Sequence, residues 1–425
     1  MSPTFRALQN HNYRLYAMGG VVSNTGTWMQ RVAQDWLVVL LAVNDGTSLG
    51  ITTGLQFLPA LLLSPYAGLV ADRVPKLRLL QVTQTVMALT ALLLGVLAIT
   101  GTVEVWHVYV LAFVFGTGSA FDAPARQSFV SEMVGPDDLS NAVGLNSASF
   151  NAARLAGPAV AGLLIGAFGG GVRATGFVIL VNAVSYVAVV IALRSMTVAD
   201  LQVVDRQPRH KGQIRDALRY LRGRPDLLLI MSVVFFAGTF GLNFQMTSAL
   251  MATHVFHKGA TEYGLLGSIM AIGSLTGALL AARRTHIRLR LVVGAALVFG
   301  VVEIAAGLMP TYLAYAAIVP LLGLTALTMI TAANTTMQLA TAPGLRGRVM
   351  ALYLMVFMGG TPLGSPFIGW LGEQFGARWT LLGGGSLTIL GVLASVAVFT
   401  RGPGMLKRRV VTHESAMEEP VGSAA

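Results

Sequence analysis

The chain has 425 residues, of which 54% are hydrophobic and only 11% charged. A soluble domain carries about 25% charged residues and a disordered chain needs low hydrophobicity with high charge, so both are excluded and a polytopic membrane protein remains. The net charge of +11 keeps a nucleic-acid binder open until the charges are placed, while the absence of cysteine removes disulfides, thiolate metal sites and cysteine nucleophiles.

A bilayer-crossing helix needs about 20 mostly apolar residues. Twelve runs qualify, at 13–43, 49–71, 78–100, 104–122, 141–168, 174–193, 226–254, 262–282, 289–309, 312–334, 348–371 and 378–399. They are too long and continuous for the alternating strands of a membrane barrel. The first fifteen residues are polar and the apolar stretch behind them lacks a small-residue cleavage site, so no cleavable signal peptide is expected.

The first span carries a polar stripe. At 100° per residue, Ser23, Asn24, Thr27, Gln30, Arg31, Gln34 and Asp35 fall within an arc of about 140°. Such a face suits an aqueous cavity or another helix, not lipid. Arg31 and Asp35 are four residues apart, so the helix allows them to pair. Each charge at the centre of a span costs about 2.5–3.5 kcal/mol on the insertion scale. The pair is either a self-neutralising structural feature or a proton site in which Asp35 takes the proton and frees Arg31.

Between spans two and three runs GLVADRVPKLR, with Gly68, Asp72, Arg73, Lys76 and Arg78. A small Gly68 permits close helix packing, and Asp72 can pair with a basic group or a helix N-terminus. Span four ends in FGTGSAFDAPARQSFV, followed by a connection expected at 123–140. Span five contains Asn151, Arg154 and RLAGPAVAG, where Gly157, Pro158 and Gly162 predict a bend with tight packing. Arg154 suits either an anionic solute or a pairing with Asp35.

The polar segment 194–225 separates two groups of six spans. Its later part places Ile214, Ala217, Leu218 and Leu221 on one face among arginines, which predicts an amphipathic helix on a leaflet surface. In span seven, Asn243 and Gln245 are polar cavity candidates, and Glu303 in span nine is either a coupling acid or scaffold. The halves repeat: a shift of 207 residues places Gly116 on Gly323, Gly157 on Gly364 and Gly162 on Gly369. Parallel repeats of this kind are the plan of secondary transporters, with the substrate held between the halves.

Charge placement orients the chain. With the N-terminus cytoplasmic, 24 of the 29 Lys and Arg residues fall on the cytoplasmic side. Only Arg173, Lys258 and Arg378 lie on the other side, and Arg31 and Arg154 lie within spans. The positive-inside rule therefore predicts both termini in the cytoplasm, and the basic excess is an orientation signal with no nucleic acid implied. There is no Gly-x-x-x-x-Gly-Lys-Ser/Thr phosphate loop and no metal-ligand cluster. No nucleophile–His–acid set can be assembled, so an enzyme, a cofactor and a bound metal are not expected.

The loop after span two resembles the signature Gly-x-x-x-Asp-Arg-x-Gly-Arg-Lys of the major facilitator superfamily, with Pro75 and Leu77 departing from it. The Gly157-Pro158 element resembles that of its antiporters. The phrases WMQRVAQDWLV, FDAPARQSFV, SNAVGLNSASFNAARLAGP and RGRVMALY resemble the branch of siderophore, macrolide and multidrug exporters. Span four has Ala112 where the superfamily's fourth-helix Arg would stand.

The resemblance implies an all-α membrane protein of twelve helices in two pseudo-symmetric six-helix halves. Residues 1–193 and 226–400 are the expected halves, 194–225 the linker and 401–425 a cytoplasmic disordered tail. It further implies a monomer in the plasma membrane that exports a small molecule by proton antiport, with uptake as the alternative. Asp35 and Arg31 are then the coupling residues. Asn24, Thr27, Gln30, Gln34, Asn151, Arg154, Asn243 and Gln245 are the cavity, and 68–78 the gating loop.

Overall fold

The computed structural model describes residues 3–42, 46–202, 213–282, 289–342 and 345–400. They form helices α1 (His11–Ala42), α2 (Gly46–Arg73), α3 (Lys76–Thr100), α4 (Val105–Met133), α5 (Pro136–Ala167) and α6 (Val172–Arg194). A short helix α7 (Gln213–Arg222) precedes α8 (Pro225–Phe236), α9 (Phe244–Leu250), α10 (Ala260–Ala282), α11 (Leu289–Gly307) and α12 (Tyr312–Ala340). The chain finishes with α13 (Arg346–Gly359), α14 (Thr361–Phe375) and α15 (Arg378–Phe399). No strand occurs among the described residues. Helices satisfy their backbone groups internally, which is what an apolar solvent demands of a spanning segment.

Among the described residues, eleven helical runs are long and apolar enough to cross a membrane. The first helix also has the length, 32 residues, and its polar stripe keeps it out of that set. Span seven is continuous in length but not in winding. After α8 the chain adopts a π-helical segment, Ala237–Gly241, breaks at Leu242–Asn243, then runs through α9 into a second π-helical segment, Met251–Val255. Span eleven is divided at Gly360 into α13 and α14.

Three expectations are corrected. Span four does not end at 122, and the expected connection at 123–140 is mostly helix. α4 continues through Pro124 to Met133 because its polar residues find partners on other helices. Gly68 is not a packing glycine, since a Cβ there would meet nothing within 4 Å. The apolar face of α7 packs on protein. Ala217 and Leu221 are buried in a cluster with Leu227, Ile230 and Tyr353, and only Leu218 stays exposed. The Tyr220 hydroxyl also donates to the Ala340 carbonyl at 3.3 Å. Ile214 has no described side chain. The tail at 401–425 lies outside the described residues.

The chain divides into two compact units. The first comprises Met1–Gln207, Phe244–Ala271 and Pro362–Thr380. Its helices pack through glycines. A Cβ at Gly116 on α4 would lie 2.1 Å from the Gln56 carbonyl of α2, and one at Gly157 on α5 2.6 Å from Trp28 Cβ of α1. The same principle joins α2 to α14, where Gly50 would meet the Ser365 carbonyl at 2.3 Å. Small residues that let backbones touch are the usual means of helix association in lipid. The second unit comprises Pro208–Asn243, Ile272–Thr361 and Leu381–Ala425. Its core gathers α8, α11, α12 and α13 around Val233, Val292, Met329 and Val349. Large apolar side chains such as Val184, Leu313 and Val398 stand exposed on the helices, an outer surface suited to hydrocarbon.

Candidate functional site

The centre of the first unit is α1. Its polar stripe is drawn in several directions by the helices around it. On the α6 side, Asn182 donates to Gln30 Oε1, Thr27 and Tyr186 share a hydroxyl–hydroxyl bond of 2.8 Å, and Ser185 donates to Asn182 Oδ1 at 2.8 Å. Gly26 makes this approach possible, since a Cβ there would fall 2.2 Å from Asn182 Oδ1. Gln30 and Thr27, expected as cavity residues, therefore belong to a helix–helix seam. Ser23 and Gln34 are buried as well, and the Gln34 side-chain nitrogen has no hydrogen-bond partner.

Asp35 is 5% exposed and accepts a hydrogen bond of 2.9 Å from the Tyr263 hydroxyl of α10. Tyr263 stacks on Trp36 with ring centroids 6.3 Å apart, and the Trp36 indole donates to the Gly170 carbonyl at 2.9 Å. The α5–α10 contact beside it is backbone to backbone. A Cβ at Gly162 would lie 2.5 Å from the Ala260 carbonyl and 3.0 Å from Gly264 Cα. The Ser268 hydroxyl extends the seam by donating to the Leu155 carbonyl at 2.5 Å and accepting from the Ala159 amide at 3.1 Å. All three expected bend residues thus act as contact points. Gly157 admits α1, Gly162 admits α10, and the Pro158 carbonyl would meet a Cβ at Gly264 at 2.3 Å.

The expected Arg31–Asp35 pair does not form. The ion pairs among the described residues are elsewhere, and each of the two side chains is taken by an aromatic group. Tyr263 holds Asp35, while the Arg31 guanidinium lies 4.8 Å from the Trp28 ring centroid and 5.7 Å from that of Phe57. Its Nε is buried without a hydrogen bond. The Arg154 guanidinium lies 5.8 Å from the centroid of the same indole. Cation–π contacts of this kind contribute about 0.5–2 kcal/mol each, enough to orient a guanidinium without neutralising it.

The remaining expected residues are scattered. Asn24 and Gln245 are half-buried, and Asn151 is exposed and donates to the Ser147 carbonyl of its own helix at 2.8 Å. Asn243 lies in the second unit, where its side chain caps the π-helical turn by donating to the Thr239 carbonyl at 3.0 Å. The expected gating loop 68–78 is helix except at 74–75: Arg73 ends α2 and Arg78 lies on α3, both exposed, and Lys76 at the start of α3 pairs with Glu132 of α4. The Asp72 side chain is outside the described set.

Sequence reasoning missed a second polar centre. Asp122 on α4, 7% exposed, accepts from Thr83 at 2.9 Å, from Gln84 at 2.8 Å and from Arg126 Nε at 3.0 Å. Arg126 in turn lies 5.8 Å from the Tyr16 ring centroid. The i, i+4 spacing of Asp122 and Arg126 was a readable signal. Tyr263 had no such signal, because its partner is 228 residues away.

The profile of the transmembrane secretion effector family matches residues 2–421. The chain is 27% identical to the multidrug efflux pump Tap of Mycolicibacterium fortuitum, over 91% of this chain and 94% of that one. It is 31% identical to the staphyloferrin A transporter of Staphylococcus aureus over 34% of this chain, a match that spans 36% of that relative's length. Among solved structures, a bacterial homologue of the human lysosomal transporter Spinster, inward-facing and occupied, superposes with a TM-score of 0.72. It is 16% identical and covers 92% of this chain and 97% of that one.

Proposed function

We propose that this chain, which belongs to the transmembrane secretion effector family of the major facilitator superfamily, exports a small molecule from the cytoplasm in exchange for protons. It is a multi-pass membrane transporter and not an enzyme. The export direction draws support from the multidrug efflux pump that matches nearly its full length. Both termini are assigned to the cytoplasm from the 24 basic residues on that side. This places Asp35, Tyr263 and Trp36 toward the outer face. We read the chain as two six-span halves, 1–193 and 226–400, joined by the linker 194–225, and working as a monomer in the plasma membrane.

One observation carries the coupling: a buried carboxyl on α1 whose bond comes from α10, at a seam closed by glycines. Parting α10 from α1 and α5 breaks the Tyr263 bond and opens Asp35 to the outer medium. Two energies then compete. Sealing an ionised carboxylate here costs about 2.5–3.5 kcal/mol. The negative charge strengthens the tyrosine bond by only about 1 kcal/mol. Desolvation wins, so the protonated carrier closes the seam and the ionised carrier opens it. A proton loaded outside is thereby carried inward, and the carrier that has lost it turns outward with its cargo. A proton crossing a 100 mV potential supplies about 2.3 kcal/mol, roughly a 50-fold concentration ratio. Arg31, one turn before Asp35 and held over Trp28 and Phe57 with an unbonded Nε, is the cation of the coupling site.

Inverted vesicles carrying the chain test the direction, with ethidium as the multidrug probe and an imposed gradient acid in the lumen. Accumulation of ethidium in the lumen, lost when the gradient collapses, is the expected result. Gradient-driven movement out of the lumen contradicts export and favours uptake.

A further inference from the structure

Glu303 has no place in the coupling described above. It lies on α11, four residues before the Gly307 end, and is 2% exposed. Its Oε2 is buried without a hydrogen-bond partner. Two glycines on other helices make the room it occupies. A Cβ at Gly241 would lie 3.0 Å from Oε2, and one at Gly384 on α15 would lie 3.1 Å from Oε1. The point beside Gly241 is also 3.0 Å from the Thr388 hydroxyl, a second buried polar atom without a partner. A carboxyl and a hydroxyl thus flank one glycine, and neither is bonded.

The glycine itself is unusual in its backbone. Gly241 ends the π-helical segment Ala237–Gly241, after which the Leu242 amide bonds back to the Ala237 carbonyl at 2.9 Å and the helix breaks. Single π-helical turns inside α-helices are concentrated at functional sites, and a break of this kind gives the helix two ways to continue.

Among the described residues, no charge faces Glu303. On its own helix the other ionisable group is Arg290, at the far end. The span-seven wall carries Asp226 and His254 at its ends, α12 carries Tyr312 and Tyr315 in its first turn, and α15 carries Arg378 at its start. None forms an ion pair with Glu303, whose Oε2 has no hydrogen-bond partner. An ionised carboxylate in this place would have neither counter-charge nor hydrogen bond, so the side chain here is the neutral acid. An acid retained only as scaffold would be expected to hold a hydrogen bond.

We propose that Glu303 is a second proton-binding carboxyl of the carrier, loaded and emptied as the π-helical segment beside Gly241 moves. The step is simple dissociation: the O–H bond of the neutral acid breaks, the proton passes to water, and the carboxylate remains. The proposal rests on the chain being a membrane transporter, and is independent of Asp35 and of the direction of transport.

Infrared spectroscopy of the full chain in lipid vesicles tests it without any substrate. The expected result is a protonated-carboxyl band that disappears as pH is raised between about 5 and 10. The band should be absent in Glu303→Gln, a variant expected to melt as the parent does, and present in Asp35→Asn. Gly241→Ala puts a methyl group 2.4 Å from Phe299 Cε1 and 3.0 Å from Oε2, which forces the wall beside the carboxyl to shift and should move the midpoint by about tenfold in proton affinity, a readout that survives if the glutamine variant fails to fold. A Glu303 band that stays constant across that range describes a permanently neutral scaffold acid and overturns the proposal. So does the absence of any band assignable to Glu303.

Discussion

Replacing Tyr263 with phenylalanine removes one oxygen and little else. The ring keeps its stack on Trp36, with centroids 6.3 Å apart, so packing at the seam is preserved. The loss is the 2.9 Å bond to Asp35, and Asp35 is then buried with an acceptor unsatisfied. A buried group left without its partner costs about 1–3 kcal/mol. That cost falls on the closed seam alone, because Asp35 is solvated once the seam opens. The ratio of closed to open carriers should therefore drop by about 5- to 150-fold. The chain contains no cysteine, so spin labels can be placed at Arg173→Cys, at the start of α6, and at Lys258→Cys, in the turn before α10, without background. Distances between the labels should be short and narrowly distributed in the parent, and should gain a longer population in Tyr263→Phe. An unchanged distribution together with an unchanged melting temperature would refute the reasoning that this bond holds the seam.

Other substitutions probe other contacts. Gly162→Val places a side chain where a Cβ already lies 2.5 Å from the Ala260 carbonyl; overpacking of about 1–3 kcal/mol should lengthen the same label distance and stop transport, and parent-like behaviour in both would contradict the contact. Asp122→Ala removes the acceptor of three hydrogen bonds and leaves Arg126 without its carboxylate. A loss of about 3–5 kcal/mol should appear as a large fall in melting temperature, and a melt unchanged from the parent would argue against a load on that centre. Lys76→Met breaks a pair whose side chains are each 17% exposed, so the expected loss is near 1 kcal/mol. A loss as large as that of Asp122→Ala would contradict that ranking.

The twelve-helix plan was legible because apolar length is a property of the chain alone. Most helix ends lie within a few residues of the expected spans. What the sequence concealed depends on partners distant in sequence. The extension of α4 through Asp122, Pro124 and Arg126 reads as a loop until Thr83, Gln84 and Tyr16 are seen to satisfy it. Helical spacing permits Arg31 to reach Asp35, yet Tyr263 and Trp28 offer each side chain a partner outside that pair. α7 was readable as amphipathic, but periodicity does not say whether an apolar face meets lipid or protein, and here Ala217 and Leu221 meet protein. The π-helical segments of span seven carry no compositional mark, because their residues differ from an α-helix only in which carbonyl each amide finds.

The central claim is that Asp35 carries the exchanged proton. The most direct measurement compares Asp35→Asn with the parent in proteoliposomes, using ethidium counterflow at equal pH and ethidium efflux against an imposed pH gradient. Asparagine keeps the shape of the side chain and an acceptor for Tyr263 but binds no proton. Gradient-driven efflux should be abolished, and counterflow should slow, because a side chain that is never ionised favours the closed seam. Undiminished gradient-driven efflux in Asp35→Asn would contradict the account.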